Sequence, residues 1–224
     1  MEYSSHLLPP HAIMLMGPGC PHCSTMMEAL SELLKSGEIA KLEVINVVEF
    51  PEEAAARGVR SVPWLGLGEF SFHGAMGLEE LRHWLKQRTD PKGMAVYFDH
   101  LFSSGQRQMV ETMVRNHPDH LLAFVDLLAD DQVGINTRLG IGVVLEELQG
   151  SGLSKTITSE LGELTEHEDP RIRGDACHYL PLTEDPNAIS WLRKRLLDDN
   201  ADVREIAQEA LEELQETHGE HTLH

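Results

Sequence analysis

Apolar residues run without interruption from Ala12 to Met16, and the chain then turns through Gly17-Pro18-Gly19. The run suits a short buried strand, His11–Met16. Beyond it, Met26, Met27, Leu30, Leu33 and Leu34 recur at helical spacing up to Gly37, a residue that readily ends a helix. "KLEVINVV" from Lys41 alternates as a strand does. "PEEAAARGV" from Pro51 has a proline at a helix start and Gly58 as its stop. "VPWLGLG" and "EFSFHG" read as two short strands around Gly68, and a last helix runs roughly from Leu78 to Arg88. This order predicts a small α/β layer of four strands, ending at the turn Asp90-Pro91-Lys92-Gly93.

Past that turn the strand pattern stops and paired helices recur. "HLLAFVDLLADD" leads to "VGINTRLGIGVVLEELQ", "ITSELGELTEHED" to "PRIRGDACHYLPL", and "ISWLRKRLLDDN" to "ADVREIAQEALEELQ". Each first helix ends in an acidic pair, Asp130-Asp131, Glu168-Asp169 or Asp198-Asp199. Aligning "DPRIRGDA" on "NADVREIA" places Ile172 and Arg173 on Val203 and Arg204, and Ala176 on Ala207, which marks an internal repeat. The pattern resembles the HEAT-like α-solenoids, in their short variety, because the acidic pairs fall closer together than the ~40 to 47 residues of longer HEAT repeats. "GMAVYFDHLFSSGQRQMVETMVRNHP" reads as a degenerate first pair. The resulting division is residues 1–90 for the α/β part and 91–224 for an all-α repeat part.

Composition narrows the classes. The chain has 224 residues and a formal net charge of −19. Up to Asp90 there are 7 basic and 12 acidic residues, and beyond it 11 and 25, so the acidity belongs mainly to the repeats. Such a balance argues against nucleic acid as a partner, since phosphate binding rests on Lys and Arg displacing counterions. No apolar run approaches the ~18 residues that span a bilayer, so no membrane association is expected. "MEYSSHLLPPH" lacks the basic and apolar regions of a secretory signal, and the expectation is a cytoplasmic protein. In a reducing compartment two cysteines two residues apart are seldom a structural staple.

Those cysteines are Cys20 and Cys23, in "GPGCPHC", at the point where strand gives way to helix. A zinc site needs a second ligand pair, and neither Cys177 nor His6, His11, His73 and His83 supply one; the histidines of "THGEHTLH" are terminal, so no metal is assigned. A redox couple has a physical basis. With Pro21 in the first turn, Cys20 would meet unpaired backbone N–H groups and the positive end of the helix, which lowers a thiol pKa below ~8.5. Cys23, three positions on, is within bonding reach, and His22 adds a cationic donor beside the thiolate.

Downstream, "GVRSVPWL" places Val62-Pro63 at a strand start, and "FHGAMGLEELRHWL" closes the segment. With the Cys-x-x-Cys, these make residues 11–88 resemble the thioredoxin-like superfamily over its whole minimal fold, which implies a mixed four-stranded sheet with helices on both faces. That resemblance implies a thiol-disulfide oxidoreductase without a cofactor, with Cys20 and Cys23 catalytic and Pro21 and His22 tuning them. It also implies a cis proline at Pro63 against the cysteines, and substrate contacts from Val62, Pro63 and Trp64. Relatives place a buried acid six residues before the first cysteine; here that position is Met14. Pro-His is the dipeptide of periplasmic disulfide-introducing oxidases, but their larger helical insertion is not seen. Gly19 before the couple is closer to glutaredoxins, although their glutathione-anchoring charges are not plain, so glutathione and a thioredoxin-type reductant both stand as electron sources. Trp64, Phe70, Phe72 and Trp84 suit a core as well as a groove, and Cys177 suits a buried small hydrophobe. The repeats are expected to hold a protein client or redox partner. The other reading is an adaptor, with the repeats carrying the function and the front part a structural or redox-sensing head.

Overall fold

The structure is a computed structural model that describes residues 8–220, with side chains to residue 215. It divides into two compact units after Gly93.

The first unit is built on four strands, β1 His11–Met16, β2 Lys41–Asn46, β3 Trp64–Leu67 and β4 Phe70–His73, in the order β2-β1-β3-β4. β1 and β2 are parallel, while β3 runs antiparallel to both β1 and β4, so the sheet is mixed as expected. Side chains alternate between faces. Leu15 clusters with Ile45 and Trp64, and Ala54 of helix α2 (Pro51–Ala56) packs on that cluster. Ala12 and Met14, both fully buried, point the other way, where α1 (Cys23–Ser36) and α3 (Leu78–Gln87) pack on each other. α1 stops at Gly37, whose φ of 79° suits a residue without Cβ, with its N–H and that of Glu38 closing on Leu34 and Leu33. β2 is two residues shorter than its alternation suggests, because the Asn46 side chain accepts the Val48 N–H at 3.1 Å and turns the chain out of the sheet.

The second unit is helical throughout its described residues. The expected first pair is α4 (Gly93–Ser103) and α5 (Arg107–Asn116). Then come α6 (Leu122–Leu128) with α7 (Ile135–Glu147), α8 (Thr158–Leu164) with α9 (Pro170–Tyr179), and α10 (Ala188–Arg195) with α11 (Ala201–Glu220). α9 ends earlier than its apolar run, since Pro181 has no N–H to continue it and Leu180–Thr183 tightens into a 3₁₀ turn. The Trp191 indole of α10 lies so close over α8 that a Cβ at Gly162 would sit 2.4 Å from it.

The repeated arginines have a common task. Arg138 donates to the Asp130 carbonyl, Arg173 to those of His167 and Glu168, and Arg204 to those of Asp198 and Asp199. Each thereby ties down the short loop between the two helices of its own pair, where carbonyls lack helical partners. The remaining guanidinium nitrogens reach forward: Arg138 Nη1 to Asp175, and Arg173 Nη2 and Nε to the two oxygens of Asp198 at 2.7 and 2.9 Å. Asp199 adds a contact at 2.7 Å. Arg173 and Asp198 are both buried, 8% exposed each, so either charge without the other would be costly. Hydrogen bonds from Arg173 hold the Asp198 carboxyl below its ordinary range.

Replacing Asp198 with Asn is expected to destabilise the second unit by about 3 kcal/mol, the low end for a broken buried pair because Asp199 still meets Arg173. A carboxyl with a depressed folded-state pKa stabilises above its unfolded value and loses that contribution as pH falls. In urea unfolding followed by circular dichroism, the wild-type advantage over Asp198→Asn should therefore hold at neutral pH and shrink below about pH 4.

Candidate functional site

β1 and β2 end side by side, and the Val47 N–H donates to the Met16 carbonyl at 2.9 Å. The chain leaves β1 through Gly17-Pro18-Gly19, with Gly19 at a φ of 74° that glycine adopts without strain. Cys20 to Cys23 form one turn, closed by the Cys23 N–H on the Cys20 carbonyl at 3.3 Å. The helix proper starts at Cys23, later than Pro21 implies, with His22 as its N-cap and no side-chain cap. Cys20 therefore precedes the helix rather than occupying its first turn. Its neighbourhood is still that of the free N–H groups at the start of a 14-residue helix.

The two sulfurs are bonded, with Cα atoms 5.5 Å apart. Exposure separates them. Cys20 is half-buried and Pro21 and His22 are exposed, whereas Cys23 is 1% exposed. β1 faces β3 antiparallel with Leu15 opposite Trp64, and continuing that register sets Met16 opposite Pro63 and Gly17 opposite Val62. A Cβ on Gly17 would lie 3.5 Å from Val62 Cγ2, so the loops do meet. The Val62–Pro63 peptide is cis, as the resemblance implied. The Pro63 carbonyl accepts the Gly74 N–H at 2.9 Å, which brings the β4–α3 loop to the same end.

Trp64 stands apart from the other expected site residues. Its side chain is 7% exposed, among Leu15 and Ile45 and over Gly66. Phe70, Phe72 and Trp84 are buried as a core cluster, with Phe72 and Trp84 rings 4.9 Å apart. Met14, at the position where relatives carry an acid, is fully buried among apolar groups.

Two residues escaped the sequence reading. Val48 and Phe50, in the β2–α2 loop beside Gly17, are 61% and 53% exposed although both are apolar. The signal was present in "INVVEF", but the alternation was read as strand to Val48, which hid the loop. Among the described residues no group of three or more His, Cys, Asp or Glu is placed to hold a metal, and no helix is long and apolar enough to cross a membrane. The side chains of His6, His218, His221 and His224 lie outside the described residues.

A parallel β1–β2 pair, antiparallel β3–β4, a bonded Cys-x-x-Cys at a helix start, and a cis proline at the start of β3 are together the marks of a thioredoxin-fold dithiol domain. Residues 11–86 match the family of thioredoxin domains, and residues 143–212 match HEAT repeats. A thioredoxin of Methanocaldococcus jannaschii is 33% identical over 73 residues, which are 86% of that protein and 32% of this chain. The chain belongs to the thioredoxin family, and HEAT repeats follow its thioredoxin domain.

Cys177 is chemically distinct from the pair. It is fully buried in α9, and that burial pushes its thiol up to about 12. At pH 8 its thiolate fraction is then roughly a thousandfold below that of a free cysteine. A reduced, folded chain treated with an alkylating reagent should leave Cys177 unmodified by mass spectrometry, and denaturant should expose it. Labelling of Cys177 in the folded chain would contradict its burial.

Proposed function

We propose that this protein is a thiol-disulfide oxidoreductase whose exchange chemistry resides in residues 1–90 and whose repeats, residues 91–224, hold a protein client or redox partner. The observation that supports it best is the unequal exposure of a bonded pair: Cys20 open to a substrate, Cys23 covered behind it.

In this reading the reduced Cys20 thiolate attacks one sulfur of a client disulfide, a mixed disulfide forms, and the other client sulfur leaves as thiolate and takes up a proton. The Cys23 thiol loses its proton and attacks Cys20, releasing the second client thiol and forming the Cys20–Cys23 disulfide. Two electrons pass to the client, and a dithiol reductant or glutathione restores the pair. The helix start and, when charged, His22 favour the Cys20 thiolate, with Pro21 shaping the turn. Val62 and Pro63 border the attacked disulfide, Trp64 holds their strand from below, and Val48 and Phe50 offer apolar contact to residues flanking the client cysteine. Met14 supplies no carboxylate, so the Cys23 proton goes to solvent or to the leaving thiolate. The acidic repeats raise the client's local concentration at Cys20.

Cys20→Ser should abolish reduction of a small disulfide, whereas Cys23→Ser should retain the attack and accumulate a covalent adduct visible by non-reducing electrophoresis and mass spectrometry. An adduct formed through Cys23 in Cys20→Ser would reverse the roles. His22→Val should make the couple less oxidising by about 30 mV, the equivalent of one weak charge-assisted contact, read by equilibration with glutathione; an unchanged potential would leave the helix start as the sole influence. A chain ended at Asp90 should keep the small-disulfide activity and lose preference for clients trapped by the full chain.

A further inference from the structure

Helix α2 has only six residues and covers the sheet near Leu15 and Ile45, and beyond it, toward the β3–β4 turn, the described residues leave a hollow on the same face. There Trp64 and Gly66 of β3 share one side, and Gly68 follows in the turn at a φ of 63°. The gaps are structural requirements. A Cβ at Gly66 would lie 2.9 Å from the Trp64 indole, and one at Gly68 would lie 2.7 Å from Arg88 Nε. The indole therefore lies along the strand as a floor, and the Arg88 side chain crosses the turn as a wall. Between them is a cavity of about 450 Å³, bordered as well by Ile13, His11 and Arg57. That volume lies within the range of small-molecule sites, which combine an apolar floor with a few convergent polar groups.

The basic side chains at this cavity are not equivalent. Arg57 is ion-paired with Glu53, and His11 Nε2 lies 3.3 Å from a Glu43 carboxylate oxygen. Arg88 has no ion pair or side-chain hydrogen bond to a described residue in hand, only the field of nearby Glu69, and its partial burial works against its charge. A guanidinium set against an aromatic floor is suited to a carboxylate or similar oxyanion on a flat apolar body.

We propose that this cavity is a second binding site, taking a flat organic anion whose charged group pairs with Arg88 and whose apolar body lies on Trp64 and Gly66. It stands at the opposite end of β1 from the cysteines, roughly 16 Å along the strand at about 3.3 Å per residue, and owes nothing to thiol exchange. Trp64 nevertheless follows Pro63 directly, so a ligand on its indole touches the residue that anchors the loop facing Cys20.

The test is titration of the oxidised full chain with 2-naphthoate and with its neutral counterpart 2-naphthalenemethanol, followed by amide chemical shifts. The expected result is saturable shifts at Ile13, Gly66 and Gly68, with affinity about tenfold lower for the neutral compound and for Arg88→Gln, the loss appropriate to one charge-assisted hydrogen bond. Arg57→Gln should change it less, because Glu53 already engages that side chain. Unchanged shifts at these amides up to millimolar naphthoate would overturn the proposal. So would equal affinity in Arg88→Gln, provided that variant keeps the wild-type spectrum elsewhere; the conservative Arg88→Lys, expected to bind with intermediate strength, supplies the reading if Arg88→Gln does not fold.

Discussion

The antiparallel pairing of β1 with β3 is the constraint on which the redox end depends. Ala12, Ile13, Met14 and Leu15 oppose Leu67, Gly66, Leu65 and Trp64. Because the register is antiparallel, the residue that follows β1 must meet the residue that precedes β3, and Gly17 and Val62 do so. A slip of one residue would turn Leu15 and Trp64 out of the cluster they share with Ile45 and would carry Pro63 away from the cysteine loop. The apolar burial that holds the sheet together thus also aligns two loops far apart in sequence. The cysteines are positioned by packing that takes place below them.

Buried charge does comparable work in the repeats. Apolar side chains such as Ile172, Ala176, Val203 and Ala207 are fully or almost fully covered, yet they set no direction along the array. The arginines do. At Arg138 and Arg173, carbonyls of the loop inside one pair and a carboxylate from the following pair converge on a single guanidinium, so these two arginines relate the helices of their own pair and then that pair to the next. The fixed fork of Arg suits this double duty, which a lysine could not reproduce.

Much of this was legible in the chain. The uninterrupted apolar run of β1, the Pro and Gly punctuation around α2, and the spacing of Cys20 and Cys23 with Val62-Pro63 carried the fold of the first unit, because each reflects a local rule. The arginine at matching positions of the repeats was visible as a pattern, but its partners were not: Asp198 lies 25 residues from Arg173, and only folding shows which acid of an acid-rich segment is buried. The end of β2 at Asn46 and the end of α9 at Tyr179 were displaced from their expected places by single residues, Asn46 and Pro181, that compete with periodicity. Exposure was the other hidden quantity. Trp64 and Phe50 are both large aromatics next to a turn, and nothing in their local sequence says that one is covered and the other bare.

The arginine contacts also give the array an arrow. Arg138 depends on Asp175 and Arg173 on Asp198, each acid lying further along the chain, while Arg204 meets, among the described residues, carbonyls of its own pair. Removing α10 and α11 would strand a buried cation at Arg173. In evolutionary terms, such an array loses a pair less readily than it gains one, because a guanidinium already held by a later acid has nowhere else to place its charge.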